Sequence, residues 1–200
     1  MYPLDTITAI RKVAEARGIA MHLDGARLFN AVVATGIPAA DYARHFETVS
    51  FCLSKGLGAP VGSLICADKE RITKLRRLRK MFGGGMRQAG ILAAAGLYAL
   101  EHNIERLAED HVHAKRLAEA LAELPGVRIN PDHVETNIVV FDIGDTRRTA
   151  DEMSATLKAE GLLLVPFSPT TLRAVTHLDV SSEQIEQACA ILKKVFYALT

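Results

Sequence analysis

One stretch of this chain indicates both its fold and its chemistry: Thr48-Val-Ser-Phe-Cys-Leu-Ser-Lys55-Gly-Leu-Gly-Ala-Pro-Val-Gly62-Ser63. The apolar run from Val49 to Leu53 is typical of a buried strand, and the Gly- and Pro-rich sequence after it is typical of a turn. A second apolar run, Ser63 to Ala67, predicts another strand. A single lysine, Lys55, therefore lies where a predicted buried strand ends.

A lysine in that position has two interpretations. Burial beside apolar surface would lower the pKa of the Lys55 ammonium and make its amine available as a nucleophile, as in lysines that form Schiff bases. Alternatively, a strand followed by Ser-Lys-Gly is a plain turn with a solvated lysine. The stretch alone does not decide between them.

The sequence around this stretch alternates between helix and strand patterns. Predicted helices cover Leu4 to Arg17 with a terminating Gly18, Leu28 to Thr35, and a basic segment Lys69 to Lys80 that Asp68 would cap. Two further helices, about Arg87 to Glu101 and Ile104 to Leu124, follow a break at Gly83-Gly84-Gly85, and Ile19 to Leu23 predicts a short strand. We therefore expect an α/β fold with a mainly parallel sheet and flanking helices.

The pattern changes at Pro125-Gly126. Short strand-like segments at 127–129, 137–143, 161–166 and 171–175 enclose one predicted helix, Thr149 to Glu160. A last helix begins at the capping-box sequence Ser181-Ser-Glu-Gln184. We therefore predict two domains, a large domain over residues 1–125 and a small α+β domain over residues 126–200.

Composition limits the classes of function. The chain is 49% apolar and 24% charged with a net charge of +1, which is typical of a soluble globular protein and gives no electrostatic reason to expect nucleic acid or membrane as a partner. Cys52, Cys66 and Cys189 lie in apolar segments without metal or disulfide spacing. They are interpreted as buried thiols in a reducing compartment, so the expected location is the cytoplasm.

A carboxylate stands in a position comparable to that of Lys55. Asp24 follows the predicted strand Ile19 to Leu23, and sites in open α/β sheets collect at the carboxyl ends of strands. An amine and an acid in such positions suit pyridoxal 5'-phosphate (PLP), because a carboxylate against the pyridine nitrogen keeps that nitrogen protonated. Alternatively, Asp24 caps the next helix, since Asp-Gly is a common turn, and Arg27 is a surface charge.

Four blocks in the chain together resemble one family. They are His22-Leu-Asp24-Gly-Ala-Arg27-Leu-Phe-Asn30, Ser54-Lys55-Gly-Leu-Gly-Ala-Pro-Val-Gly-Ser63, Arg79-Lys-Met-Phe-Gly-Gly-Gly-Met-Arg87-Gln-Ala-Gly90 and Arg173-Ala-Val-Thr-His177. In this order they resemble the low-specificity L-threonine aldolases, fold-type I PLP enzymes grouped with the β-eliminating lyases.

The resemblance implies a role for each matching position. Lys55 would bind PLP covalently, and Asp24 would pair with the pyridine nitrogen. The implied cofactor-binding set is completed by Arg27, Ser54 and Arg87, and the implied substrate-binding set is Arg173, Arg27 and Lys80. Lys80 also fits a solvated basic face, Arg173 also fits a salt bridge within a strand, and we interpret His177 as structural.

The resemblance also implies a reaction and an assembly. The reaction is retro-aldol cleavage of L-threonine or L-allo-threonine, an amino-acid substrate, to glycine and an aldehyde, in a homodimer or homotetramer. Two alternatives stay open. The chain could belong to a PLP enzyme that carries out β-elimination or transamination, or it could be a non-catalytic fragment or partner module that keeps the dimer surface.

One departure from the family pattern affects these expectations. Only 23 residues precede Asp24, which leaves no room for the phosphate-binding cup, the residue stacked on the cofactor ring or the base for the substrate hydroxyl. We therefore expect the chain to correspond to the C-terminal portion of an aldolase and to be inactive alone. We also expect an exposed sheet edge.

Overall fold

The computed structural model describes residues 1–198, and this part of the chain is a mixed α/β structure. Its helices are α1 (Leu4–Ala16), α2 (Leu28–Thr35), α3 (Ala39–Ala43), α4 (Lys69–Met81), α5 (Gly90–His102), α6 (Leu107–Ala122), α7 (Ala150–Ala159) and α8 (Ser182–Tyr197). Its strands are β1 (His22–Asp24), β2 (Thr48–Cys52), β3 (Ser63–Ala67), β4 (Ile138–Asp142), β5 (Val165–Ser168) and β6 (Thr171–Val175). The α/β class expected from the sequence is confirmed. Within residues 1–198, no helix has the length and apolar character needed to cross a membrane.

The chain forms two compact units. The first is Met1–Arg106 and the second begins at Leu107. This division does not coincide with the predicted boundary near residue 125, because α6 belongs to the second unit and contributes Ala114, Leu117 and Leu121 to the core of that unit. The extent of the domains in a complete protein stays a prediction.

The first unit contains a three-stranded sheet in the order β1-β2-β3. Strands β1 and β2 are parallel, whereas β2 and β3 are antiparallel. The expectation of a mainly parallel sheet is therefore wrong for this part of the chain. The physical reason is the connection: a turn joins β2 directly to β3, whereas parallel neighbours need a longer crossover segment between them.

Several helix ends follow the local signals in the sequence. Helix α1 is followed by Gly18 in the left-handed conformation, with φ of 62°, as a terminating glycine requires. The side chain of Asp68 accepts a hydrogen bond from the Arg71 backbone N–H at 2.8 Å and so caps α4. The predicted capping box of α8 is formed by Ser181 and Gln184.

The second unit packs its helices on an antiparallel sheet in the order β4-β6-β5. Its core includes Leu121 of α6, Phe141 of β4, Leu172 of β6, Leu157 of α7 and Phe196 of α8. The strand predicted over residues 127–129 is reduced to a single bridge between Arg128 and Asp142. This unit therefore has a continuous core of its own.

Candidate functional site

The two parallel strands place Asp24 and the Lys55 turn at the same edge of the first sheet. Asp24 is the last residue of β1 and pairs with Ser50 of β2, and β2 ends at Cys52, three residues before Lys55. Since parallel strands run in one direction, both groups follow the carboxyl ends of hydrogen-bonded neighbours. That the Lys55 amine and the Asp24 carboxylate lie close together stays a prediction from the sequence.

Asp24 begins a local turn. Its Oδ1 accepts a hydrogen bond from the Ala26 backbone N–H at 3.2 Å, and the residue is exposed. The N-cap residue of the following helix, α2, is Arg27 rather than Asp24, and the Arg27 side chain forms no capping hydrogen bond. The alternative interpretation of Asp24 as a helix cap is therefore wrong. The Arg27 residue itself is partly buried.

Gly25 allows the strands to approach closely just after Asp24. Its backbone N–H donates to the Ser50 carbonyl oxygen at 2.8 Å. A Cβ atom added to Gly25 would lie only 2.8 Å from that same oxygen, closer than any side chain tolerates. Glycine is therefore required here by contact between backbones.

The Lys55 turn is closed by hydrogen bonds to one carbonyl group. The Gly62 carbonyl oxygen accepts from the backbone N–H groups of Leu53, at 2.9 Å, and Ser54, at 3.3 Å, and from the Ser54 hydroxyl, at 3.3 Å. Gly58 has φ of 72°, and its N–H donates to the Lys55 carbonyl oxygen at 2.9 Å. The backbone that carries Lys55 is thus held in one conformation.

Lys55 itself is exposed. The burial expected from the neighbouring apolar sequence is therefore wrong for this part of the chain. The apolar neighbours of Lys55 pack inside the first unit, where the Leu53 and Leu57 side chains are buried, with 7% and 3% exposure. Because β2 directs its buried apolar residues into the first unit, Lys55, which follows the end of β2, remains exposed to solvent.

Helix α5 and the residue that follows it contact the Lys55 turn. The Asn103 side-chain Nδ2 donates to the Leu57 carbonyl oxygen at 2.7 Å, and Gly96 brings α5 close to the Leu53 side chain. Asn103 was not among the residues predicted from the sequence. A polar residue directly after an apolar helix was the available signal, but it does not indicate which carbonyl group the side chain will bind.

Glu47 holds the start of both parallel strands. Its carboxylate accepts from the Met21 backbone N–H at 2.5 Å and pairs with Arg11 of α1 at 2.5 Å. The hydrogen bond from Met21, followed by the one from Arg11, keeps the pKa of the Glu47 carboxyl below its usual value. This residue was also missed, because its partners lie distant in the sequence.

Lys80 and Arg87 lie further along the first unit. Lys80 is in the last turn of α4, Arg87 is in the loop before α5, and both are exposed. Gln88, beside Arg87, has φ of 47°. The solvated-face interpretation of Lys80 agrees with a helix α4 that buries none of its residues. Among residues 1–198, no hydrogen bond or ion pair joins the Lys80 or Arg87 side chain to Asp24 or Lys55.

Arg173 lies on β6 of the second unit. Its guanidinium carbon is 5.8 Å from the centroid of the Phe167 ring, within the range of a cation–π contact. Its Nε is buried and has no hydrogen-bond partner within residues 1–198. The side chain forms no ion pair with another described residue, so the strand salt bridge considered for it is absent there.

His177 follows β6 and forms a local turn. Its Nδ1 accepts a hydrogen bond from the Asp179 backbone N–H at 3.3 Å and lies 3.4 Å from the Asp179 carboxylate. These contacts agree with the structural interpretation of His177.

The residues at the edge of the first sheet fit part of what PLP needs. An exposed amine, Lys55, and an exposed carboxylate, Asp24, follow adjacent strand ends, and the close backbone approach at Gly25 fixes the turn between β1 and α2. A phosphate group needs several donors, commonly at a helix N-terminus. The described residues show no group of donors that we can assign to it.

Comparison with known proteins relates the chain to one family. The β-eliminating lyase family model matches residues 1–144. The chain is 45% identical over 174 residues to the low specificity L-threonine aldolase of Escherichia coli, a match that covers 87% of this chain and 50% of the relative. It is 39% identical over 191 residues to low-specificity L-threonine aldolase 1 of Arabidopsis thaliana, with 95% of this chain and 53% of the relative covered.

A solved structure shares the fold. The threonine aldolase of Leishmania major matches 98% of this chain and 57% of its own length, with a TM-score of 0.75 and 18% sequence identity. The chain spans about half the length of the curated relatives it matches.

Proposed function

The chain belongs to the β-eliminating lyase family, the family of the low-specificity L-threonine aldolases, and on that premise we propose that it supplies part of the active site of a PLP-dependent aldolase. The substrates would be β-hydroxy-α-amino acids such as L-threonine and L-allo-threonine, cleaved to glycine and an aldehyde. The complete protein would be a cytoplasmic homodimer or homotetramer with the large domain of a fold-type I PLP enzyme.

The observation that supports this proposal most directly is the position of Asp24 and Lys55. They follow the carboxyl ends of two hydrogen-bonded parallel strands, where ligands bind in open α/β sheets. A lysine in a rigid turn can present its amine to an aldehyde, and a carboxylate on the next strand can hold a proton on a ring nitrogen. When bound, PLP supplies the electron sink that lets the Cα–Cβ bond of the substrate break.

Other residues would bind and orient the substrate. Arg173 would bind the substrate carboxylate, since a planar guanidinium matches that group with two parallel hydrogen bonds. This role is supported by the Arg173 Nε, which has no hydrogen-bond partner within residues 1–198, since a buried donor without a partner is costly. Arg27 and Lys80 would assist at the substrate, and Ser54 and Arg87 at the cofactor.

Borohydride reduction tests the central part of the proposal. The purified chain is incubated with PLP, reduced and digested, and the labelled peptide is identified by mass spectrometry. We expect the label on Lys55 and its loss in the Lys55→Ala variant. Lys74→Ala is a matched control, because Lys74 is an exposed lysine of the same unit that pairs with Glu70, and this variant should label normally. Label on another lysine, or none in the wild-type chain, contradicts the proposal.

Product analysis separates the aldolase from the alternatives. Threonine and serine are supplied to the chain with PLP, alone and together with the remaining polypeptide of the E. coli relative. Acetaldehyde with glycine supports the aldolase, whereas ammonia with a keto acid supports β-elimination. A chain that takes no PLP but associates with that polypeptide is a non-catalytic partner module.

A further inference from the structure

Ser50 contacts β1 on both sides of Asp24. Its carbonyl oxygen accepts the Gly25 N–H at 2.8 Å, directly after Asp24. Its hydroxyl donates to the Leu23 carbonyl oxygen at 3.4 Å, directly before Asp24, and lies 3.5 Å from Nε2 of His22. Ser50 is also the residue opposite Asp24 in the strand register. One residue of β2 therefore holds the β1 segment that carries the carboxylate.

The His22 side chain contacts a second residue of β2, two positions before Ser50. Its Nδ1 lies 2.8 Å from the Thr48 hydroxyl, so the ring reaches both Thr48 and Ser50. Because side chains two residues apart lie on the same face of a strand, His22 and Asp24 share a face. A row of polar side chains on the two strands thus leads to the carboxylate, where a packed core would use apolar ones.

The two strands are also in close contact directly after Asp24. The Ser50 carbonyl oxygen leaves no room for a Cβ atom at Gly25, so glycine is the residue that allows this close approach directly after Asp24. Beyond Gly25, the Ala26 N–H closes the turn on Asp24 Oδ1 at 3.2 Å. The orientation of the Asp24 carboxylate is therefore coupled to the backbone segment that is hydrogen-bonded to Ser50.

We propose that Ser50 is a positioning residue for the Asp24 carboxylate. Its carbonyl oxygen fixes the backbone after Asp24, and its hydroxyl restrains the backbone before it with support from His22. The functional consequence, correct placement of the carboxylate against the PLP pyridine nitrogen, rests on the proposed function. The restraint on the turn does not, because it is a property of the chain without any ligand.

Amide exchange of Ala26 measures this restraint directly. Its N–H is bonded to the Asp24 carboxylate, so hydrogen exchange followed by NMR in the purified full chain reports how firmly that carboxylate is held. In Ser50→Ala we expect Ala26 to exchange about twofold faster, the lower end of the effect of losing one hydrogen bond, because the Ser50 hydroxyl contacts are long, at 3.4 and 3.5 Å. Amides of β3 should keep their rates. Ser50→Thr, which keeps the hydroxyl, should restore the wild-type rate.

Ser63→Ala is the matched control. Ser63 lies on β3 of the same sheet opposite Cys52, so the variant removes one serine hydroxyl from a neighbouring strand. Its Ala26 exchange should equal that of the wild type. The proposal is overturned if Ser50→Ala leaves Ala26 unchanged, if it accelerates β3 amides equally, or if Ser50→Thr does not restore the rate.

A PLP titration by absorbance gives the second measurement. We expect Ser50→Ala to weaken PLP binding about twofold, on the same loss of one long hydrogen bond, while Ser50→Thr and Ser63→Ala bind as the wild type does. If the wild-type chain takes up no PLP, the proposed function fails for this chain, and the Ala26 exchange rates still decide the role of Ser50.

Discussion

Gly25 lies where the backbones of two neighbouring strands approach each other closely in the candidate site. Its N–H and the Ser50 carbonyl oxygen are 2.8 Å apart, and a Cβ atom would stand at the same distance from that oxygen. Asp-Gly in a sequence indicates a turn, which the structure contains. The reason for the glycine is nevertheless different from the usual need for positive φ, because contact with the neighbouring strand excludes a side chain.

Replacement of Gly25 by alanine should therefore destabilise the first unit. Backbone atoms of two paired strands would have to separate, and overpacking of this kind costs about 1–3 kcal/mol. Urea unfolding followed by circular dichroism measures the change. The same variant should loosen the Asp24 turn and lower the yield of Lys55 labelling by PLP.

Gly90→Ala is the control for this substitution. Gly90 begins α5, and apart from its chain neighbours and the backbone of its own helix, no atom of residues 1–198 lies within 4 Å of a Cβ added there. Since alanine favours helix over glycine by about 1 kcal/mol, this variant should be as stable as the wild type or slightly more stable. Equal losses of stability in the two variants would show that close approach at Gly25 is not the cause.

At the level of elements, α1 is attached to the sheet through Glu47. Arg11 of α1 donates to the Glu47 carboxylate at 2.5 Å and to the His45 carbonyl oxygen at 3.3 Å. The second carboxylate oxygen of Glu47 accepts the Met21 N–H just before β1. One carboxylate thus joins a helix and the entry to the strand that carries Asp24.

This attachment predicts a dependence of stability on pH. The pKa of Glu47 is lower in the folded chain, because the Met21 N–H and then Arg11 favour the carboxylate. Its contribution is therefore complete above the pKa of the unfolded chain and is lost as the pH falls through the folded pKa. Glu47→Gln should lower stability at neutral pH and remove part of the loss of stability that acid causes in the wild type.

Urea midpoints at a series of pH values from acid to neutral provide the measurement. Glu15→Gln is the matched control, because Glu15 pairs with the same arginine at 2.8 Å but its side chain is 59% exposed. Exposed pairs within a helix contribute little. A change in Glu15→Gln as large as that in Glu47→Gln would contradict the assigned role.

Elements whose signals are local were predictable from the sequence. Gly18 ends α1, Asp68 begins α4 and Ser181 begins α8, since each signal acts within one turn of the helix. The apolar pattern of β3 does not indicate its direction; the available signal was the short connection from β2, since parallel neighbours need a longer crossover segment. The five-residue α3 was missed, as its sequence is too short to show a helical period.

At the level of the whole molecule, the two units differ in how much apolar surface they bury. Most of the buried apolar residues belong to the second unit, which has one continuous core. The first unit leaves large apolar side chains exposed, among them Ile10, Val13, Phe82 and Ile91. This difference also explains why the exposure of Lys55 could not be predicted. A local apolar pattern indicates a strand, but it does not indicate whether other parts of the protein bury the residues that follow the strand.

The same difference predicts an order of stability within the chain. Amides in β4 and β6 should exchange at least about tenfold more slowly than those in β1 and β2, because protection follows the apolar contacts that an opening must break. Strand β1 is short and pairs with β2 only, on one side, within the described chain. Hydrogen exchange measured by mass spectrometry on the full chain resolves both groups of strands.

Since the chain spans about half the length of its relatives, adding the unmatched polypeptide of the E. coli relative should slow exchange in β1 and β2 and leave β4 and β6 unchanged. Equal protection of the two sheets in the chain alone would contradict this order, and the candidate site would then be as firmly held as the core of the second unit.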